Sequence, residues 1–221
     1  MALDFSQTSI RLNRPLTSYS RVQQAISWLI RNKKWFANIK QAGCYLDLGC
    51  GSNTDPSYCN VDYSYRPGVD VCWDVTRGLP FPDEYAAGIF TEHMLEHIPF
   101  EAALGVLKES RRVLRRGGVL RIVMPDGSLY LREYAKGSRS KIPYAEEDEK
   151  NFPFVTPMIS VNRVFREHGH LFIWDVQTLT ESLKLSGFSN VQEQKFQNSR
   201  DARLLRDTSS RQVESLYVEA W

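Results

Sequence analysis

The segment YLDLGCGSNTDPSYCNVDYS, Tyr45 to Ser64, constrains the fold of this chain more than any other. A short apolar run ends in a Gly-x-Gly turn, and the acid Asp62 follows only eleven residues after Gly51. Such a run reads as a buried strand, and in open α/β sheets ligands sit beyond the carboxyl ends of the strands near the switch point. Gly49 and Gly51 would let the backbone approach a ligand that a Cβ would push away. Asp62 closes the next strand, where a carboxylate can accept both hydroxyls of a ribose.

The rest of the chain alternates in the same way. Tyr19 to Gln41 is predicted as an amphipathic helix with Val22, Ile26, Leu29, Ile30 and Phe36 close to one face. NVDYS, VDVCWDV and AAGIFTEH read as further strands. PFEAALGVLKESRRVLRR reads as a helix with Arg115 and Arg116 in its last turn and Gly117-Gly118 as its cap. VLRIVMPD is a fifth strand, DVQTLTESLKLSGF a helix stopped by Gly187, and VQEQKF and VESLYVEAW the last strands. Gly127 to Gly169 shows no regular pattern, is too long for a mere connection, and is expected to be a substrate-facing insertion or lid. Strands alternating with helices imply a mostly parallel sheet covered on both faces, and the two strands close together at the end imply an antiparallel edge.

A dinucleotide is the first ligand such a turn suggests, and the details oppose it. The dinucleotide fingerprint needs G-x-G-x-x-G/A opening a full helix, with an acid about twenty residues on. Here Thr54 stands at the last position, Pro56 follows, and Ser52 to Cys59 leaves room for about two helical turns at most. A helix that short is a poor cradle for a pyrophosphate. S-adenosyl-L-methionine (SAM) has the ribose and adenine without the phosphates. Asp47, just before the glycines, suits the ammonium of its amino-acid tail, and Asp74 in WDVTRGLPF suits the adenine amino group.

With these residues in view, YLDLGCGSN, NVDYS, VCWDVTRGLPFPDE, GIFTEHMLEHIP, LKESRRVLRRGGVLRIVMPD and HGHLFIWDVQTLTESLKLSGF resemble class I SAM-dependent methyltransferases. The chain is similar in particular to a bacterial group with a shortened first helix, often linked to surface-glycan synthesis. The resemblance runs from about Tyr45 to the end, with Gly137–Arg166 matching poorly. It implies a Rossmann-like α/β fold with a mainly parallel seven-stranded sheet, helices on both faces and an antiparallel edge. The corresponding organisation is an N-terminal helical extension over residues 1–40 and a methyltransferase domain over 41–221, with its lid at about 127–169. The resemblance also implies that Asp47, Gly49, Gly51 and Asn53 meet the methionine part of the cofactor. Asp62 and Tyr63 would then lie at the ribose, Asp74 and Val75 at the adenine, and Glu92 near the methionine end.

HMLEH, His93 to His97, carries three readings. His93 just past the fourth strand can act as general base beside the methyl group, since an ordinary imidazole suits proton removal from a hydroxyl. Equally, His93 and Glu96 can hydrogen-bond within the loop, because methyl transfer can proceed by positioning alone. The letters also spell the H-x-x-E-H zinc peptidase motif, which needs a helix through the motif and a third ligand; Pro99 opposes the helix, and no metal is expected. In REHGHLFIWD, His168 and His170 cannot share a face of an extended segment, and His170 is the second catalytic candidate. D/N-P-P-Y, the mark of amino-directed base methylation, is absent where TEHM stands. The expected reaction is therefore methyl transfer from SAM to an acceptor hydroxyl on a sugar, glycan precursor or other small molecule. A SAM-binding protein without catalysis is the alternative.

Composition sets the outer limits. At 221 residues with 42% apolar and 24% charged content, neither disorder nor a fibrous class is indicated. No apolar stretch approaches the roughly 20 residues of a membrane span, and the N-terminus lacks a secretory pattern, so the expected compartment is the cytoplasm. The first forty residues carry seven Lys or Arg against Asp4 alone. No RNA- or DNA-binding signature accompanies that charge, and nucleic acid is not expected as a partner. Cys44, Cys50, Cys59 and Cys72 form no CxxC pair and are expected to be reduced packing residues.

Overall fold

The computed structural model describes residues 20–34, 37–137 and 156–221. Seven strands form one sheet: β1 (Tyr45–Leu48), β2 (Tyr58–Asp62), β3 (Val71–Cys72), β4 (Ala86–Glu92), β5 (Leu114–Pro125), β6 (Val191–Glu193) and β7 (Ser215–Ala220). Their order is β3-β2-β1-β4-β5-β7-β6. β1 to β5 pair in parallel, and β7 runs antiparallel to both β5 and β6, one place in from the edge. The order of strand addition reverses between β1 and β4, so the carboxyl ends of β1, β2 and β4 open onto one crevice.

Strand alternation gives the sheet two unlike faces. Leu46, Leu48, Cys59, Val61, Ile89, Leu120, Ile122 and Val218 point to an apolar face. α2 (Phe100–Val113) and α5 (Val176–Leu185) pack there through Ala103, Val106, Leu107, Leu179 and Leu183. Three of the cysteines are buried, and Cys44 is half-buried.

The opposite face carries Tyr45, Asp47, Tyr58, Phe90, Arg121, Tyr217 and Glu219, and every one of these side chains is buried. Its cover is the β6–β7 connection, which contributes Leu204, Phe196 and two 3-10 turns, Ala202–Leu204 and Ser209–Arg211. Arg121 is fully buried, and all five of its donors are used. It bonds Asp207 with Nε at 2.8 Å and Nη2 at 2.6 Å, and Glu219 at 2.9 Å. The carbonyls of Asn198 and Lys195 complete the set at 2.8 Å and 3.2 Å. Asp207 and Glu219 in turn accept the backbone N–H groups of Gln197 and Arg200.

Three sequence expectations change here. α1 spans only Arg21–Ile30, opened by a Ser20–Gln23 capping box. Asn32 takes a left-handed φ of 61° and ties its N–H to Cys72, so the chain turns off towards β3. Val22 and Leu29 are exposed on this helix, while Ser27 is its buried residue and accepts the Tyr65 N–H. Tyr19 and Phe36 lie outside the described residues. Second, Gly117-Gly118 is not the cap of α2. Leu114 already pairs with Ala86, and the next registered pair is Gly88 with Val119, so Arg115 to Gly118 form a bulge. A Cβ at Gly118 would lie 2.7 Å from the Ala87 carbonyl. Third, the stretch after β5 has helical flanks, α3 (Gly127–Ala135) and α4 (Pro157–Arg166), which meet through Tyr130 and Val164. Residues 138–155, the middle of the expected lid, lie outside the described residues.

Breaking one side of a buried, fully bonded ion group leaves the other charge stranded. Asp207→Ala is therefore expected to cost about 3–5 kcal/mol in urea unfolding, with the loss centred on the β6–β7 connection in hydrogen exchange.

Candidate active site

Asp47, Gly49, Gly51, Asn53, Asp62 and Glu92 gather where β1, β2 and β4 end. Ser52 to Ser57 form turns without a helix, so the expected short helix is absent altogether. Gly49 and Gly51 have φ of 76° and 53°, in the left-handed region. A Cβ at Gly51 would meet nothing, which leaves that side of the turn open. At Gly49 a Cβ would overlap the Met94 side chain, so this glycine serves the packing of the β4 loop rather than an approach from outside. Asp62 is buried and closes the turn: Oδ2 accepts the Gly51 N–H at 2.9 Å and Oδ1 the Ser64 N–H at 2.8 Å. Burial raises its carboxyl pKa against these two N–H groups.

Asp47 is buried on the polar face, and burial pushes its carboxyl up to about 7 against the pull of Arg206. Arg206 reaches Asp47 Oδ2 at 2.5 Å and the Asn53 carbonyl at 2.7 Å, and stacks over Tyr58. Glu92 is engaged by the same connection: it accepts the Thr208 N–H at 2.8 Å and hydroxyl at 2.5 Å. The charges of Glu92 and Asp62 both act on Asp47, so the three expected acids share one crevice. Sequence reasoning missed Arg206 and Thr208. The one available signal was indirect, since a buried Asp47 needs a cationic partner.

The residues expected at the adenine are less closely gathered. Asp74 caps the 3-10 turn Val75–Arg77, its Oδ1 accepting from the Thr76 N–H and hydroxyl. Val75 is half-buried against the apolar core. Tyr63 is exposed, and the Arg31 guanidinium lies 3.5 Å above its ring.

Just past β4, His93 turns the chain with a φ of 50°, and Leu95–His97 is a single 3-10 turn. No helix runs through HMLEH, so His93 and His97 do not present the one-turn spacing of a zinc peptidase. His93 Nε2 lies 2.9 Å from Ser215 Oγ, and Nδ1 lies 3.5 Å from Glu96 Oε1. Burial lowers His93 to about 2 and raises Glu96 to about 8. Both groups are therefore uncharged at neutral pH, and their approach is a polar contact rather than an ion pair. Burial likewise lowers His97 to about 4. His170 is buried, with Nδ1 bonded to the Val164 carbonyl at 2.7 Å and its ring 4.9 Å from His97. His168 is exposed at φ 59°, and in the 3-10 turn its ring lies 6.1 Å from the buried His170 ring, so the two histidines of HGH stay close. Asp126, at the end of β5, caps α3 through Ser128.

The model of a family described as "Methyltransferase domain" matches residues 21–193. The chain belongs to that family. It is a SAM-dependent methyltransferase with the class I architecture, and the peptidase reading falls away. A search of curated proteins gives no match. Among solved structures, the chain is similar to a SAM-dependent methyltransferase from Archaeoglobus fulgidus, at 14% identity over 90% of this chain and 93% of that one, TM-score 0.49. A possible histamine N-methyltransferase from Thermotoga maritima shares 17% identity over 82% and 83%, TM-score 0.48. A methyltransferase from Mesorhizobium loti shares 15% over 82% and 93%, TM-score 0.48.

The donor set fits the cofactor. The turn offers an open glycine and three carboxylates in place of a row of helix N–H groups, an arrangement for ammonium and hydroxyl groups rather than for phosphates. Each oxygen of Asp62 accepts one backbone N–H and retains a second acceptor direction.

The two glycines separate by test. Gly49→Ala is expected to lower the unfolding midpoint clearly, since it strains φ and collides with Met94. Gly51→Ala, strained in φ alone, is expected to cost only about 1 kcal/mol while weakening SAM in calorimetry.

Proposed function

We propose that this methyltransferase acts on a hydroxyl of a small acceptor, a sugar or glycan precursor, with the donor held at the Gly49–Gly51 turn. The observation that carries the donor side is the meeting of Asp47, Asp62 and Glu92 around the open face of Gly51. In this reading Asp47 takes the cofactor's ammonium, Asp62 the ribose hydroxyls, and Asn53 and Glu92 border the methionine tail. Tyr63, Asp74 and Val75 line the adenine side. SAM supplies an electrophilic methyl group on a sulfonium.

The acceptor side falls to the chain's own polar residues. His93 stands at the end of β4, where TEHM replaces an amine-directing D/N-P-P-Y, and Met94 beside it packs on Gly49. Its Nε2 lies 2.9 Å from the Ser215 hydroxyl, so an acceptor hydroxyl displacing that contact would meet the same ring atom. With burial holding its pKa down at about 2, the neutral ring orients the acceptor by a hydrogen bond rather than keeping the acceptor's proton. His170 lies in the same buried group and orients the loop before α5. α3 and α4, the described helices within the 127–169 stretch, act as the lid that excludes water over the acceptor.

Calorimetric titration with SAM, S-adenosylhomocysteine and NAD tests the donor site. The first two are expected to bind and NAD not, and Asp62→Ala is expected to lose SAM by more than about tenfold. Undiminished binding to Asp62→Ala would overturn the ribose assignment. A panel of hydroxyl and amine acceptors, read by S-adenosylhomocysteine release, then tests the acceptor class. Turnover on amines alone would reject the hydroxyl reading, and full turnover by His93→Ala would remove His93 from the acceptor site.

Asp47 gives a pH test with a fixed sign. Its proton must leave before the carboxylate can pair with an ammonium. SAM affinity is therefore expected to rise from about pH 6 to about pH 7.5, by at most about tenfold per unit for one linked proton. In Asp47→Asn that slope should vanish, leaving only the ligand's own titration.

A further inference from the structure

Glu96 is a buried carboxylate without a hydrogen-bond partner among the described residues. It is 1% exposed, and no such bond reaches either oxygen there. The nearest ring nitrogens are His93 Nδ1 at 3.5 Å and His97 Nε2 at 3.9 Å, beyond good hydrogen-bonding range. His97 Nδ1 also lacks a bond among the described residues. Polar atoms buried in this way cost free energy unless something answers them. Adding a proton to Glu96 removes its charge and still leaves an O–H and a carbonyl without partners. A cation between Glu96 and the neighbouring imidazoles would answer the carboxylate's charge.

The backbone assembles the ligands. The Glu96 carbonyl accepts the N–H groups of Leu171 at 2.7 Å and Phe172 at 3.3 Å, which pins the segment after HGH across the 3-10 turn. One ligand atom from each of Glu96, His97 and His170 then lies within 4.8 Å of the others. His170 is already oriented as a ligating imidazole usually is. Its Nδ1 faces the Val164 carbonyl at 2.7 Å, and the tautomer that donates there carries the lone pair on Nε2.

We propose that Glu96, His97 and His170 form a buried site for a divalent first-row metal ion, with zinc or iron(II) as the matching class. Two imidazoles and one carboxylate are the donor set these ions take, and the absence of thiolate from the trio argues against copper(I). The site is distinct from the zinc peptidase motif, because His93 is outside the trio and the third ligand comes from the loop before α5. The ion would clamp the loop after β4 to that segment, next to the Met94 contact with Gly49. It extends the proposed function without depending on where SAM binds, so calorimetry with SAM reports the cofactor reading separately.

The test uses the full chain made without a histidine tag, stripped with chelator, and loaded in turn with zinc, iron(II), manganese(II) and cobalt(II). Elemental analysis after desalting is expected to find about one equivalent of zinc or iron per chain, with a raised unfolding midpoint. Glu96→Gln and His170→Ala are expected to weaken zinc by more than about 100-fold, beyond what loss of an outer contact causes. His168→Ala, exposed and outside the trio, should bind as the parent does. Because the first two variants could misfold, X-ray absorption on the zinc-loaded parent gives an independent reading, expected to show two imidazoles per ion at about 2.0 Å. Retention below about a tenth of an equivalent for every metal would overturn the site. So would binding undiminished in both variants, or a zinc spectrum without two imidazoles.

Discussion

Arg121 sits at the centre of a strand with no exposed surface, and the polar half of the molecule is organised around it. A guanidinium there is unfavourable unless every donor is answered, and Asp207, Glu219 and two carbonyls answer all five. Three of those four partners, Asp207, Asn198 and Lys195, belong to the β6–β7 connection. The ion group therefore holds that connection against the sheet. Arg206 and Thr208 flank Asp207 in the chain, and anchoring Asp207 delivers them to Asp47 and Glu92. The geometry of Asp47 and Glu92 is thus fixed from β5, two strands away from β1.

This arrangement replaces what a first helix would supply. Where Ser52 to Ser57 form only turns, nothing from that segment covers Tyr45, Tyr58 and Phe90. Leu204 covers them instead, and the Tyr45 and Tyr58 hydroxyls bond to Asp201 and the Arg203 carbonyl. A helix would have pointed a row of backbone N–H groups at the ligand. Acids from β1, β2 and β4 are presented instead, with an arginine from a distant connection. That exchange moves the site's chemistry away from phosphates and towards a cationic, hydroxyl-bearing ligand.

Most of the architecture was legible because it is written in local pattern. The apolar strands, the glycine turn, α5 with Leu179 and Leu183 inside, and the paired last strands all follow from periodicity and turn residues. The misreadings have physical causes. Asn32 ends α1 because a hydrogen bond to Cys72 competes with helix continuation, and no pattern in Tyr19 to Gln41 reveals that bond. Gly117-Gly118 has the composition of a helix cap but answers to β4, whose Ala87 carbonyl leaves no room for a Cβ. The pairing of Asp47 with Arg206 spans 159 residues, and the chain has 28 basic residues from which to choose. Even so, a trace was present: one arginine inside VLRIVMP, an otherwise apolar strand, requires buried acids somewhere else in the chain.

HMLEH shows why letters at a fixed spacing do not carry a geometry. In a helix, residues four apart share a face, and His93 and His97 would stand together. The left-handed backbone at His93 breaks that relation before the motif has completed a turn. Beyond it the chain makes a single 3-10 turn, whose central carbonyl accepts from Leu171 and Phe172, more than seventy residues later. The neighbours of Glu96 are then chosen by that backbone bond, and His170 enters where the sequence motif has no letter for it. His93 is turned instead towards Ser215 on β7. One positive φ thus separates a ring facing the sheet from a cluster facing the loop, and the two histidines of the motif acquire different chemistry from the same five residues.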